Sequence, residues 1–145
     1  LFVMRDPRDV CVRCYMRLMA PSPTTTHLLS WQGTAKIYAK VMAWWMYIRH
    51  QLTMKYLELR YEDAVAQFEP TFRKVFEFLE LPWDAGVTEF HKRAANKFIS
   101  TPSRTQVAQP LYSSSVTRWR HYATEFPPVA QALTPYVEAF GYDPF

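Results

Sequence analysis

The chain has 145 residues, 49% of them hydrophobic and 21% charged, with a net charge of +4. That is one domain's worth of chain, too apolar and too aromatic for a disordered protein, and its charge is a weak footprint for a nucleic-acid groove. Its three glycines, Gly33, Gly86 and Gly141, lie far apart, so no glycine-rich phosphate loop of the Walker or dinucleotide type fits inside it, and no apolar run is long enough to cross a bilayer.

Leu1 to Met4 is an apolar run that reads as a buried strand of a parallel sheet, cut open at its start. We expect the upstream part of the same domain to precede it. Arg5 follows at the strand's carboxyl end. Asp6-Pro7 then fits an N-cap with proline at the first helical position. This helix is expected to reach about Met19, where Pro21 and Pro23 end it.

Trp31 to Gln51 is the longest helical pattern. Trp31, Tyr38 and Trp45 recur every seven residues, with Ala35, Met42 and Ile48 on the same side. Core packing explains that stripe better than a cofactor box. Lys55 to Arg60 alternates like a second strand, ending at Tyr61-Glu62-Asp63. Phe68, Phe72, Val75, Phe76 and Leu79 make an amphipathic helix, closed by Leu81-Pro82. A short helix is expected from Trp83 to about Arg93, a loop from Ala94 to Leu111, and helical spacing again from Tyr112 to Phe126. Val129 to Phe140 forms the last helix, with Gly141 as its C-cap. This order predicts an α/β fold with right-handed crossovers. Two strands alone do not make a stable sheet, so further strands are expected upstream.

Cys11 and Cys14 are spaced C-x-x-C, but there is no second cysteine pair for zinc and no thioredoxin-like context. They read as two small buried thiols on one helical turn, which points to a reducing, cytoplasmic compartment. The histidines, His27, His50, His91 and His121, show no metal-ligand spacing, so no metal is expected.

Three constellations can carry chemistry. Arg5-Asp6-Pro7-Arg8-Asp9 stands where a strand hands over to a helix, the usual ligand edge of an α/β sheet. Arg5 beside the free N–H groups of a helix N-terminus suits an anion; it can equally pair with Asp6 or Asp9 and merely cap the helix. Tyr61-Glu62-Asp63 can present Tyr61 to a base, or pack Tyr61 in the core with Asp63 capping the next helix. Between Glu89 and Glu125 lie Lys92, Arg93, Lys97, Arg104, Arg118 and Arg120 and no acid. Hydroxyl groups are interleaved with these bases, which fits either a solvated basic face or a loop that wraps a phosphate.

Taken in series, RDPRDVCVRCYM at 5–16, RYED at 60–63, FLELPW at 78–83, TPSRTQV at 101–107 and PLYSSSVTRWRHY at 110–122 resemble the sulfotransferases that use 3′-phosphoadenosine 5′-phosphosulfate (PAPS). The resemblance is to the bacterial domains often joined to tetratricopeptide repeats and to the tyrosylprotein sulfotransferases, and it covers essentially the whole chain. It implies that residues 1–145 are the C-terminal part of a P-loop-like three-layer α/β/α domain, mostly helical with two parallel strands. The 5′-phosphosulfate loop of that domain would lie upstream.

Carried over by motif, Arg5 would bind the 3′-phosphate, with Arg13 where the family's serine stands. Tyr61 would contact the adenine, Ser103 and Arg118 the nucleotide, and Trp119 would pack under the loop. Two positions depart from the family: Arg13 replaces a hydroxyl by a long cation, and Thr117 stands where relatives commonly have glycine. The implied reaction moves a sulfuryl group from PAPS to a hydroxyl or amine acceptor, protein tyrosine among them. Its catalytic groups are expected upstream, so this chain would be inactive alone. Its partners would be PAPS and an acceptor, with upstream tetratricopeptide repeats. The competing class is a degenerate nucleotide-binding or structural module, with Arg13 as its sign. A nucleic-acid binder through residues 92–120 is a third class.

Overall fold

The computed structural model describes residues 1–17, 19–95 and 108–145. It is mostly helical, with two parallel strands. The chain divides into two compact units, one of Leu1–Val3 and Leu57–Ser114, the other of Met4–Tyr56 and Ser115–Phe145.

In the first unit, β1 (Phe2–Met4) pairs with β2 (Glu58–Arg60), and the Phe2 N–H donates to the Leu57 carbonyl at 2.9 Å. The strand expected at Leu1 to Met4 is present, but the described residues do not bury it: Leu1 and Val3 are 58% and 61% exposed. A two-stranded ribbon has a face that the described residues leave uncovered. The alternating run beginning at Lys55 also narrows to three paired residues, with Leu59 turned inward.

No turn follows β2. Arg60 is the N-cap of α3 (Tyr61–Ala66), so Tyr61 is helical rather than a strand end, and Asp63 lies inside that helix instead of capping the next one. Glu62 and Asp63 sit in the first turn, where the helix dipole favours them. The Asp63 carbonyl accepts from the Thr71 hydroxyl at 3.2 Å. α4 (Phe68–Phe78) buries Thr71 and Val75 and stacks Phe68 on Phe72 at 4.4 Å. The single helix expected from Trp83 is instead a 3₁₀ turn, Ala85–Glu89, followed by α5 (Phe90–Ala95). Asp84 caps the turn by accepting from the Gly86 N–H at 2.8 Å.

In the second unit, α1 (Pro7–Tyr15) begins where Asp6-Pro7 predicts but stops well short of Met19. A 3₁₀ turn, Thr25–Leu29, leads to α2 (Trp31–Ile48), capped by the Ser30 hydroxyl, which accepts from the Gly33 N–H at 3.0 Å. Position 33 has no room for a side chain, because a Cβ there would collide with the His27 carbonyl oxygen. The stripe enters the core through Ala35 and Tyr38, with Trp31 and Met42 packed against it. Ala35 and Tyr38 join Cys11, Val12, Phe126, Val129 and Leu133, and Trp31 meets Phe126 edge-on at 5.0 Å. Trp45 instead packs on Tyr56 at 5.4 Å.

The spacing from Tyr112 to Phe126 does not become one α-helix. Only Arg118–Glu125 is helical, as a 3₁₀ segment, because Thr117 takes the left-handed backbone conformation (φ 57°) just before it. α6 (Pro127–Ala139) starts on two prolines and ends as expected at Gly141 (φ 68°). There the Tyr142 N–H donates to the Val137 carbonyl at 2.9 Å and the Gly141 N–H to the Glu138 carbonyl at 3.0 Å, which satisfies two of the last helical carbonyls.

The left-handed conformation at Thr117 crowds a β-branched side chain against its own backbone. Thr117→Gly removes that strain, offset by the extra freedom glycine has in the unfolded chain. The net effect is a gain of about 0.5–1 kcal/mol, seen as a thermal midpoint higher by about 2 °C in a circular-dichroism melt.

Candidate functional site

The site is built on the turn between β1 and α1. Pro7 has no N–H, and the next one, on Arg8, goes to the Asp6 carboxylate at 2.9 Å. The same carboxylate takes Arg8 Nε at 2.9 Å and Nη2 at 2.8 Å, so the Arg8 side chain bends back over the cap. Arg8 Nη1 donates to the Pro144 carbonyl at 3.2 Å, and its guanidinium lies 3.8 Å from the centroid of the Trp119 ring. Asp6, Arg8 and Asp9 are all buried.

Of the two readings the sequence leaves open for this turn, the capping one is seen in part: the Asp6 carboxylate takes the Arg8 N–H at the start of α1.

Asp9 ties two elements together. Its Oδ1 accepts from the Trp119 N–H at 2.8 Å, and its Oδ2 stands 3.7 Å from Arg5 Nη2. Arg5 in turn donates to the Ser115 carbonyl. The turn from Ser115 to Trp119 thus hangs from the start of α1 at both ends. Burial pushes the Asp9 carboxyl above its ordinary range, against the opposing pull of the Trp119 N–H and Arg5. One turn further along α1, burial pushes the Cys11 thiol up to about 12. Cys14 is raised for the same reason, and both thiols are free.

Of the residues singled out by sequence, Arg5 and Arg118 come to this turn. Arg5 is anchored beneath it, with 16% of its side chain exposed; Arg118 is exposed between the two tethers. Arg13 is half-buried in the last turn of α1, at the helix's other end. Tyr61 opens α3 in the first unit, half-buried. Ser103 lies outside the described residues. Trp119 is 9% exposed, under the Arg8 guanidinium. Of the two partners the sequence offers for Arg5, Asp6 and Asp9, the structure pairs it with Asp9 at 3.7 Å. Arg8 is the participant that sequence reasoning missed; its one local signal is the Asp-x-Arg spacing across an N-cap. Among the described residues no group of histidine, cysteine or acidic side chains could hold a metal ion, and no helix is long and apolar enough to cross a membrane.

A family model described as "Sulfotransferase family" matches residues 1–85, a span that includes the Arg5 turn, α1 and Tyr61. The chain is also similar to an uncharacterized protein of Aquifex aeolicus (strain VF5), 30% identical over 138 residues. That match covers 92% of this chain and 17% of the relative's length, so the chain spans only a small part of the protein it resembles.

Proposed function

The chain belongs to the sulfotransferase family, and on that premise we propose that it carries the 3′-phosphate and adenine side of a PAPS site. The observation that supports this most directly is Arg5, fixed at the end of β1 by the Ser115 carbonyl and by Asp9. A guanidinium held in this way keeps its planar fork in one orientation, which suits a phosphate dianion. Arg13 and Arg118 would add positive charge around it, Ser103 a hydroxyl donor, and Tyr61 a ring for the adenine. When bound, PAPS supplies the sulfuryl group that passes to a hydroxyl or amine acceptor, leaving adenosine 3′,5′-bisphosphate. The residues of this chain bind and orient the nucleotide, while Asp9 and the Ser115 carbonyl hold Arg5 for it.

The proposal extends to the domain. Residues 1–145 would be the C-terminal part of a P-loop-like three-layer domain whose 5′-phosphosulfate loop lies upstream, so they would not transfer sulfate alone. Tetratricopeptide repeats upstream and a reducing, cytoplasmic setting belong to the same reading; the free thiols fit the latter.

Calorimetry on the intact protein tests it. Adenosine 3′,5′-bisphosphate should bind, and Arg5→Ala should weaken it about ten- to a hundredfold, the loss expected for a charge-assisted contact. Adenosine 5′-monophosphate, which lacks the 3′-phosphate, should bind wild type and variant alike. Equal bisphosphate affinity in the two proteins would exclude Arg5 as the phosphate ligand.

A further inference from the structure

Between Asp9 and Glu58 the chain carries Arg13, Arg17, Lys36, Lys40, Arg49 and Lys55 and no acid. Two of these lysines stand on α2, whose inner side faces the core of the second unit. Ala35 and Tyr38 are buried there, with Trp31 and Met42 packed against that core. Positions 36, 40, 44 and 47 follow one another at helical spacing along the opposite side and make a single ridge. Lys36 and Lys40 are exposed at its start. Trp44 and Tyr47, at its end, are 62% and 61% exposed, with their ring centroids 5.8 Å apart. Val41, beside them, is exposed as well.

This ridge differs from an ordinary solvated helix face in two respects. Lys36 and Lys40 stand one turn apart and repel each other, and α2 holds no acid to offset them. Two large rings and a valine meet water side by side, where a single exposed ring would call for no explanation. One kind of partner answers both: a negative surface that takes aromatic rings at its boundary. A second copy of the chain brings no negative charge, because a two-fold contact sets the same acid-free ridge against itself. A nucleic acid matches the sign of the charge but offers no apolar place for Val41. Both cations of the ridge are lysines, compact point charges without the planar fork that picks out single carboxylates, and this suits a diffuse layer of anionic headgroups. Lysine stems lie along apolar surface while their heads reach charge, and tryptophan and tyrosine favour the boundary between headgroups and acyl chains.

We propose that this ridge of α2 docks the protein on an anionic lipid surface, with Val41, Trp44 and Tyr47 entering the headgroup boundary and Lys36 and Lys40 facing lipid phosphates. The contact is peripheral and does not depend on the nucleotide reading above.

Co-sedimentation of the intact protein with lipid vesicles tests it. Vesicles of phosphatidylglycerol and phosphatidylcholine in equal parts should retain the protein, and phosphatidylcholine alone should retain far less. Retention should fall as salt is raised. Lys36→Gln together with Lys40→Gln should weaken binding about twenty- to thirtyfold, about fivefold for each charge. Trp44→Ala together with Tyr47→Ala should weaken it about tenfold. Lys74→Gln, at an exposed lysine of α4, should bind as the wild type does. All the substituted side chains on α2 are exposed, and circular-dichroism melts check that each variant keeps its fold. Calorimetry with adenosine 3′,5′-bisphosphate reads the nucleotide site separately, so either reading can fail without the other. The proposal is overturned if the anionic vesicles do not retain the wild type, if neutral vesicles retain it equally, if either double variant binds like the wild type, or if Lys74→Gln weakens binding as much as the loss of one ridge lysine. Binding to single-stranded DNA or polyglutamate that needs Lys36 and Lys40, without retention by vesicles, would assign the ridge to another polyanion and overturn it too.

Discussion

Arg8→Ala is expected to destabilise the protein by about 3–5 kcal/mol, read from the urea midpoint at neutral pH. The Arg8 and Asp6 side chains are only 2% and 7% exposed, and they meet at 2.8 Å. Removing the cation leaves the Asp6 carboxylate in a buried place with its main partner gone. It also removes the guanidinium that covers Trp119 and the donor to the Pro144 carbonyl. Ring contacts of Phe145 with Trp119 at 6.3 Å and with Phe126 at 5.7 Å tie the same C-terminal segment to the core, so its last residues should loosen together. The double variant Asp6→Asn, Arg8→Met should recover much of the loss, because asparagine still caps α1 and no charge remains buried. Arg73→Ala serves as the contrast. Its pair with Glu69 is shorter, at 2.6 Å, but both side chains are more than half exposed, so the expected change is within about 0.5 kcal/mol.

Where structure follows from neighbouring residues, the sequence could be read. Asp6-Pro7 starts α1 and Gly141 ends α6, because an N-cap acceptor and a left-handed glycine act within a few positions of themselves. The family was legible for a related reason: its motifs are short, local and in order. The role of Arg8 was not, since what buries it lies more than a hundred positions away, at Trp119 and Pro144. The exposure of Leu1 and Val3 was missed because burial of a strand depends on what covers the sheet, and an apolar run does not say. Tyr61 was misplaced because no turn residue separates β2 from α3. Thr117 was half legible. The resemblance marks its position as a glycine site, which fits the left-handed backbone found there, but a β-branched residue gives no local hint of it. Of the residues proposed for the nucleotide, Arg118 lies on the tethered turn that Arg5 helps to hold, an arrangement that only the contacts of Ser115 and Asp9 reveal.

Asp9 offers the second large effect, and it carries a sign. Asp9→Ala leaves the buried Trp119 N–H without an acceptor and takes from Arg5 the carboxylate 3.7 Å away. A loss of about 2–4 kcal/mol follows. Asp9→Asn keeps an oxygen for Trp119, so its cost at neutral pH should be about 1 kcal/mol or less. The two variants therefore separate the hydrogen bond from the charge. pH then isolates the proton. Burial raises the Asp9 carboxyl above its ordinary 3.8, so the folded protein holds this proton more readily than the unfolded chain does. The stability gained from that preference is complete below the unfolded value and is lost as pH rises through the folded one. Asparagine cannot titrate and shows no such loss. The difference in stability, wild type minus Asp9→Asn, should accordingly be larger at pH 4 than at pH 7. Taking this difference cancels the carboxylates that both proteins share. Paired urea titrations at the two pH values measure it; a difference that grows toward neutral pH would mean that Arg5 and the Trp119 N–H, rather than burial, govern this carboxylate.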